Sequence, residues 1–98
     1  MRFDSIHNYY ESLVVRELVS RFADEIKTMD EDYLQDIACI ALNMLPARYV
    51  RHDVDMAFFL TTSERDKIVV MVDEAVSKAI EQATKYKDED DRPMTYES

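Results

Sequence analysis

The chain of 98 residues contains no glycine and only two prolines, Pro46 and Pro93. Glycine supplies the positive φ angles of tight hairpin turns, phosphate-binding loops and many β-bulges, so the usual sequence signals for these structures are missing. Long helices joined by turns without glycine are what the sequence favours. We therefore predict an all-α fold, formed as one compact domain with a modest core.

The formal net charge is −9, from 21 acidic and 12 basic residues. A surface of this sign repels nucleic-acid backbones and anionic membranes, so we expect no direct DNA binding and no membrane docking. No apolar run approaches the roughly 20 residues that span a bilayer, and no signal peptide is visible at the start. The single cysteine, Cys39, cannot form an internal disulfide. These features predict a cytoplasmic protein without membrane insertion.

The first predicted helix runs from Asp4 or Ser5, both good N-cap residues, to Thr28. Its apolar residues recur every three or four positions, which is the period of an α-helix with one buried stripe. These residues are Ile6, Tyr10, Leu13, Val14, Leu18, Phe22 and Ile26. In so small a protein, part of this stripe is a candidate contact with a second subunit.

The second predicted helix opens at Asp30 as its N-cap and ends before Pro46, because proline disfavours helical geometry at the preceding residue. It is the most apolar segment of the chain and carries few charges after Asp36. We therefore expect this helix at the centre of the fold. Cys39, in its middle, is predicted to be a small buried core residue, since free cysteine is among the most buried residue types.

The third predicted helix runs from about Thr62 to Tyr86, behind a capping box formed by Thr61 and Glu64. Between the second and third helices, Asp53 is a candidate cap for a short fourth element, although an extended segment fits residues 58–62 almost as well. We assign residues 1–86 to the helical domain. Residues 87–98 form an acidic tail that is predicted to be disordered.

Nothing in the residues indicates catalysis. Walker loops, dinucleotide fingerprints and nucleophile elbows all require glycine, and Cys39 lies in an apolar run without a visible base beside it. We expect the protein not to be an enzyme. Metal binding has more support, because His7 and Glu11 are four residues apart on the first predicted helix and His52 is a further ligand type. A zinc ion is the candidate, although a solvated histidine beside a carboxylate is the commoner arrangement.

The most informative stretch covers residues 43–52, where positive charge is concentrated in an otherwise acidic chain. Arg48 and Arg51 offer forked donors to phosphate or carboxylate, Tyr49 offers a ring for stacking, and Asn43 offers an amide. The alternative is that the arginines neutralise carbonyls at the helix end or pair with surplus carboxylates. On residue chemistry alone, the structural alternative is favoured.

Residues 6–14 (Ile-His-Asn-Tyr-Tyr-Glu-Ser-Leu-Val) and residues 41–50 (Ala-Leu-Asn-Met-Leu-Pro-Ala-Arg-Tyr-Val) closely resemble the ComFB family of late competence proteins. The resemblance covers about residues 4–85, and Ala47 stands where many relatives have a second proline. It implies a compact helical homodimer encoded among competence genes for DNA uptake. It also implies a ligand class, because relatives act as receptors for cyclic di-GMP and cyclic di-AMP.

Two functions follow as hypotheses. The first is a cyclic-dinucleotide receptor that regulates a protein partner, with Arg48, Tyr49, Arg51 and Asn43 as ligand-binding residues. The resemblance raises the expectation that Arg48 and Arg51 contact the ligand, but their assignment as ligand contacts is based on their chemistry. The second is a ligand-free dimeric adaptor that engages another competence or regulatory protein, with or without a zinc ion at His7, Glu11 and His52.

Overall fold

The computed structural model describes residues 5–52 and 59–89, with side chains described as far as residue 85. Within these ranges the chain forms three helices and one small antiparallel strand pair. Their order is β1 (His7–Asn8), α1 (Tyr9–Arg21), α2 (Glu31–Met44), β2 (Tyr49–Val50) and α3 (Thr62–Glu89). The three main helices confirm the mostly α prediction, to which the strand pair is an addition. The short element predicted after Asp53 lies outside the described residues. The predicted tail starts at residue 87, but residues 87–89 are the last of α3, so the predicted helix end at Tyr86 is three residues short; the tail beyond Glu89 also lies outside the described residues.

Helix α1 is shorter at both ends than the sequence period predicts. It starts at Tyr9 because the preceding residue, Asn8, has an extended backbone and caps the helix by accepting a hydrogen bond from the Tyr10 nitrogen. It ends at Arg21, and residues 22–28 form successive turns, with both Glu25 and Ile26 donating to the Phe22 carbonyl. The predicted limits of Asp4 or Ser5 and Thr28 are therefore wrong. Tyr10, Val14 and Leu18 are buried as predicted.

Helix α2 begins and ends as predicted. Asp30 is the N-cap and accepts from the Asp32 nitrogen at 3.0 Å, and Leu45, just before Pro46, has the extended backbone of a helix end. Its buried residues are Ile37 and Ala41. Cys39 lies on the opposite side and is exposed, so its predicted burial is wrong. The helix contacts both other helices and has one buried face and one solvent face.

Helix α3 supplies six of the thirteen buried hydrophobic residues among those described, more than any other element. Thr61 and Glu64 pair as the predicted capping box requires, but only in part: the Thr61 hydroxyl accepts from the Glu64 nitrogen at 3.1 Å, while the Glu64 carboxylate accepts from that hydroxyl at 3.2 Å and not from the Thr61 backbone nitrogen. The buried stripe of α3 packs chiefly against α2. It comprises Ile68, Val72, Ala75, Val76, Ala79 and Ala83. The three alanines allow close helix approach, because a methyl group separates the backbones less than a longer side chain does.

The strand pair joins the start of α1 to the segment that follows α2. His7 lies opposite Val50, and Asn8 lies opposite Tyr49, in antiparallel register. Val50 packs against the core, and Leu45 and Leu60 are buried at either side of this region. The pairing therefore fixes the start of residues 48–52 against the domain. None of the helices formed by the described residues is sufficiently long and apolar to cross a membrane.

Candidate ligand-binding site

The backbone of Arg48 is held on both sides by the residues that start α1. The Arg48 nitrogen donates to the side-chain oxygen of Asn8 at 3.0 Å, and the Arg48 carbonyl accepts from the Tyr9 nitrogen at 2.6 Å. The same Asn8 oxygen accepts from the Tyr10 nitrogen at 3.2 Å. A carboxamide oxygen has two lone pairs, so this one atom is fully used by a helix cap and a tertiary contact.

Three side chains that the sequence singled out project from this held segment. Arg48 and Arg51 are exposed, and 68% of Tyr49 is accessible to solvent. Across the part of the chain that the structure describes, neither arginine side chain forms a hydrogen bond or an ion pair. Arg21, by contrast, is bonded to two carboxylates. The alternative that Arg48 and Arg51 serve to neutralise carbonyls or carboxylates therefore has no support among the described contacts.

The exposure of Tyr49 follows from strand geometry. Successive side chains of a strand point to opposite faces, and Val50 points to the core, so Tyr49 faces solvent. Its ring is therefore presented outward, with Arg48 directly before it in the chain and Arg51 two residues after it. An exposed aromatic ring and two exposed guanidinium groups on one short segment suit an anionic ligand that also carries a flat ring.

Two further candidate residues, Asn43 for the ligand and His52 for a metal, are less closely tied to this segment. Asn43 is exposed in the last turn of α2, and its side chain makes no hydrogen bond to any residue in the described ranges. His52 is exposed at the end of the first described range. The structure thus joins Arg48 and Tyr49 through the strand pair, while the placement of Asn43 in the same site stays a prediction.

The predicted metal ligands are not arranged as expected. His7 lies in β1, not in α1, so His7 and Glu11 do not share a helical face, and that reason for pairing them is wrong. His7 Nδ1 lies 3.1 Å from the Ser5 carbonyl oxygen. Both residues do line one shallow surface depression beside Val15 and Val19. Among the described side chains of residues 5–52 and 59–85, no three His, Cys, Asp or Glu side chains are grouped so that they could hold a metal ion, and zinc binding by His7, Glu11 and His52 stays a prediction.

Asn8 is the residue of this region that the sequence reasoning missed. The signal for its cap role was present, because asparagine is as good an N-cap as aspartate or serine and lies directly before the helix that forms. Its contact with Arg48 spans 40 residues of sequence, and no local pattern predicts a contact at that separation. The cap could therefore have been predicted, whereas the tertiary contact had to be seen in the structure.

Helices α1 and α3 also carry exposed apolar residues. Val15 and Val19 are about half exposed on α1, and Val69 and Val70 are more than half exposed on α3. Val69 lines a groove of about 320 Å³ between the two helices, while Val15 and Val19 line the depression beside His7 and Val70 lines another on α3. Exposed apolar side chains beside such depressions are candidates for protein contacts. We refer to Val15, Val19, Val69 and Val70 together as the valine surface.

These features define a class of small acidic helical protein with a basic, aromatic segment clamped to the start of its first helix. The sequence matches the family described as late competence development protein ComFB over residues 7–87. Because that match covers most of the chain, the protein belongs to the ComFB family, which associates it with late competence development. No curated protein matches the sequence, and no solved structure matches it.

Proposed function

We propose that this protein is a non-enzymatic receptor for a cyclic dinucleotide and that ligand binding regulates its contact with a protein partner. The observation that carries the proposal is the state of Arg48 and Arg51. Both guanidinium groups are exposed and without hydrogen-bond or ion-pair partners in the described chain, on a segment whose backbone is fixed. The resemblance of residues 41–50 to relatives that bind cyclic dinucleotides supports the same ligand class.

The chemistry of the ligand fits the side chains. A cyclic dinucleotide carries two phosphates and two flat bases, and guanidinium groups bind phosphate through forked donors. Tyr49 offers its exposed ring for stacking on a base. The acidic surface elsewhere disfavours anions, because the net charge is −9, so binding is expected to depend on this local group of arginines. The proposal includes a homodimer, in which Arg48, Tyr49 and Arg51 would be presented twice.

Calorimetric titration of untagged protein with cyclic di-GMP and with cyclic di-AMP tests this proposal. Losing a hydrogen bond to a charged group costs about 1.5–3 kcal/mol, so Arg48→Ala and Arg51→Ala should each weaken binding by roughly 10- to 100-fold. Arg48→Lys keeps the charge but loses the forked geometry, and we expect it to bind at an intermediate level.

Arg16→Ala is the matched control. It removes the same charge from an exposed position in the middle of α1, outside residues 43–51, and should leave the affinity unchanged. Wild-type protein that binds neither nucleotide at tens of micromolar would contradict the proposal. An equal loss in Arg16→Ala would show instead that only the net charge matters.

The valine surface supports a second candidate function, a dimeric adaptor that engages a competence or regulatory protein without a nucleotide. Burying exposed apolar area is favourable by roughly 25 cal/mol per Å², so four exposed valines provide a contact of useful strength. Capture of a partner without added nucleotide, and its loss in Val19→Asp but not in Arg48→Ala, would favour the adaptor. The reverse pattern would favour the receptor.

A further inference from the structure

The segment that carries Arg48 and Tyr49 has few bonds of its own to hold it. Between the end of α2 and residue 52, regular structure consists of the two residues of β2. A two-residue ladder is marginal in isolation, because so few backbone bonds cannot offset the ordering of the chain. Something further is required to keep the arginine and the tyrosine at a constant position.

Asn8 provides that contact. Its side-chain oxygen is the acceptor for the Arg48 nitrogen, at 3.0 Å, while the next residue, Tyr9, donates to the Arg48 carbonyl. Both polar groups of the Arg48 peptide backbone are thereby bonded to the first residues of α1. Asn8 is itself held, because its extended backbone and its bond to the Tyr10 nitrogen make it the helix N-cap.

We infer that Asn8 is a positioning residue of the ligand site, and this inference rests on the proposed function. It does not need to touch the ligand. It holds the backbone of Arg48 against the rigid start of α1, so that the Arg48 and Tyr49 side chains start from a fixed place. When only a fraction of the molecules holds the segment in this place, the apparent affinity is the intrinsic affinity multiplied by that fraction.

Substitution by serine separates the two roles of Asn8. Serine is an equally good N-cap, so Asn8→Ser keeps the bond to the Tyr10 nitrogen and the stability of α1. The serine hydroxyl ends one bond short of the carboxamide oxygen, however, and cannot also reach the Arg48 nitrogen. Asn8→Asp retains an acceptor of the original length for both donors. Asp30→Ser is the matched control, because it replaces the N-cap of α2, away from the site.

The readouts are the thermal unfolding midpoint, the hydrogen-exchange rate of the Arg48 amide, and the affinities for cyclic di-GMP and cyclic di-AMP. In Asn8→Ser we expect a midpoint lowered by only about 3–8 °C, exchange at Arg48 that is about three- to tenfold faster without faster exchange in the rest of α1, and binding that is weaker by about two- to tenfold. Asn8→Asp should restore slow exchange. Asp30→Ser should change neither the exchange at Arg48 nor the affinity.

Two results would overturn the inference. One is an Asn8→Ser protein with the exchange rate and affinity of the wild type, which would leave Asn8 as a helix cap alone. The other is weaker binding accompanied by a midpoint lowered by more than about 8 °C and faster exchange throughout α1, which would show a general loss of structure. If the wild type binds neither nucleotide, the proposed function fails, and the Arg48 exchange rate alone still shows whether Asn8 holds the segment.

Discussion

Arg21, the last residue of α1, is bonded to Asp73 in the middle of α3 through both the carboxylate and the backbone carbonyl, at 2.7 and 3.0 Å. The same guanidinium donates to Glu17 one turn earlier in α1, at 2.7 Å. One arginine thus links the end of α1 to the middle of α3. It also marks where α1 stops, since the chain turns away directly after it.

Replacing Arg21 with alanine should lower the free energy of unfolding by about 1 kcal/mol, because partly exposed ion pairs contribute little each but this residue makes two. Urea denaturation followed by circular dichroism measures the change, since the chain has no tryptophan. Arg16→Ala, from an exposed position, is the control and should stay within about 0.5 kcal/mol of the wild type. An equal loss of unfolding free energy in Arg21→Ala and Arg16→Ala would contradict a specific role for the Arg21 contacts.

The close approach of α3 to the rest of the core depends on small side chains. Ala79 is fully buried, so Ala79→Leu has no space for three additional carbons and should destabilise the fold by about 1–3 kcal/mol. Ser77→Leu places the same side chain on the exposed face of α3 and should have little effect on the unfolding midpoint. Tolerance of leucine at position 79 would mean that the helices are further apart than described.

How far the sequence predicts the fold depends on how local the determining contacts are. The start of α2 at Asp30 and the start of α3 behind Thr61 and Glu64 were predictable, because each cap bonds to a residue two or three positions away. The end of α1 was not. Phe22 and Ile26 continue the helical period, and neither glycine nor proline marks the stop.

The candidate site shows the same division. Composition alone indicated Arg48, Tyr49 and Arg51, because positive charge is scarce in this chain. The strand pair and the contact of Asn8 with Arg48 could not be predicted, since two-residue strands carry no period and their partners are about 40 residues apart. The exposure of Cys39 was missed for a related reason. An apolar helix has a solvent face whenever its neighbours pack on one side only, and the sequence does not state how many neighbours there are.

The start of α2 gives the protein a pH dependence that can be assigned to one residue. Partial burial, and then the carboxylates of Asp32 and Asp30, raise the pKa of Asp36 above its ordinary value of 3.8. The folded state therefore binds a proton more readily than the unfolded state, and the charged form of Asp36 opposes folding at neutral pH. As the pH falls through the raised pKa towards 3.8, the proton is taken up and this opposition is relieved.

Asp36→Asn should accordingly be more stable than the wild type at pH 7, with an advantage that shrinks as the pH approaches 3.8. The measurement is urea denaturation of both proteins across this range. Asp24→Asn, which removes one negative charge from an exposed turn, is the control for the net charge of the chain. An advantage of Asp36→Asn that is constant with pH, or that is matched by Asp24→Asn, would contradict the assignment to Asp36.

The exposed position of Cys39 predicts that its thiol reacts in the native protein. A thiol reagent with a coloured leaving group should modify one equivalent of Cys39 without denaturant, and adding denaturant should increase the rate only modestly, because the side chain already lies on the solvent face of α2. Circular dichroism before and after modification should show no loss of helix. A rate that rises steeply on dilution would indicate instead that a second copy covers this face of α2 in solution. Slow reaction at every protein concentration would show that Cys39 is buried within the chain, as its apolar sequence neighbours had indicated.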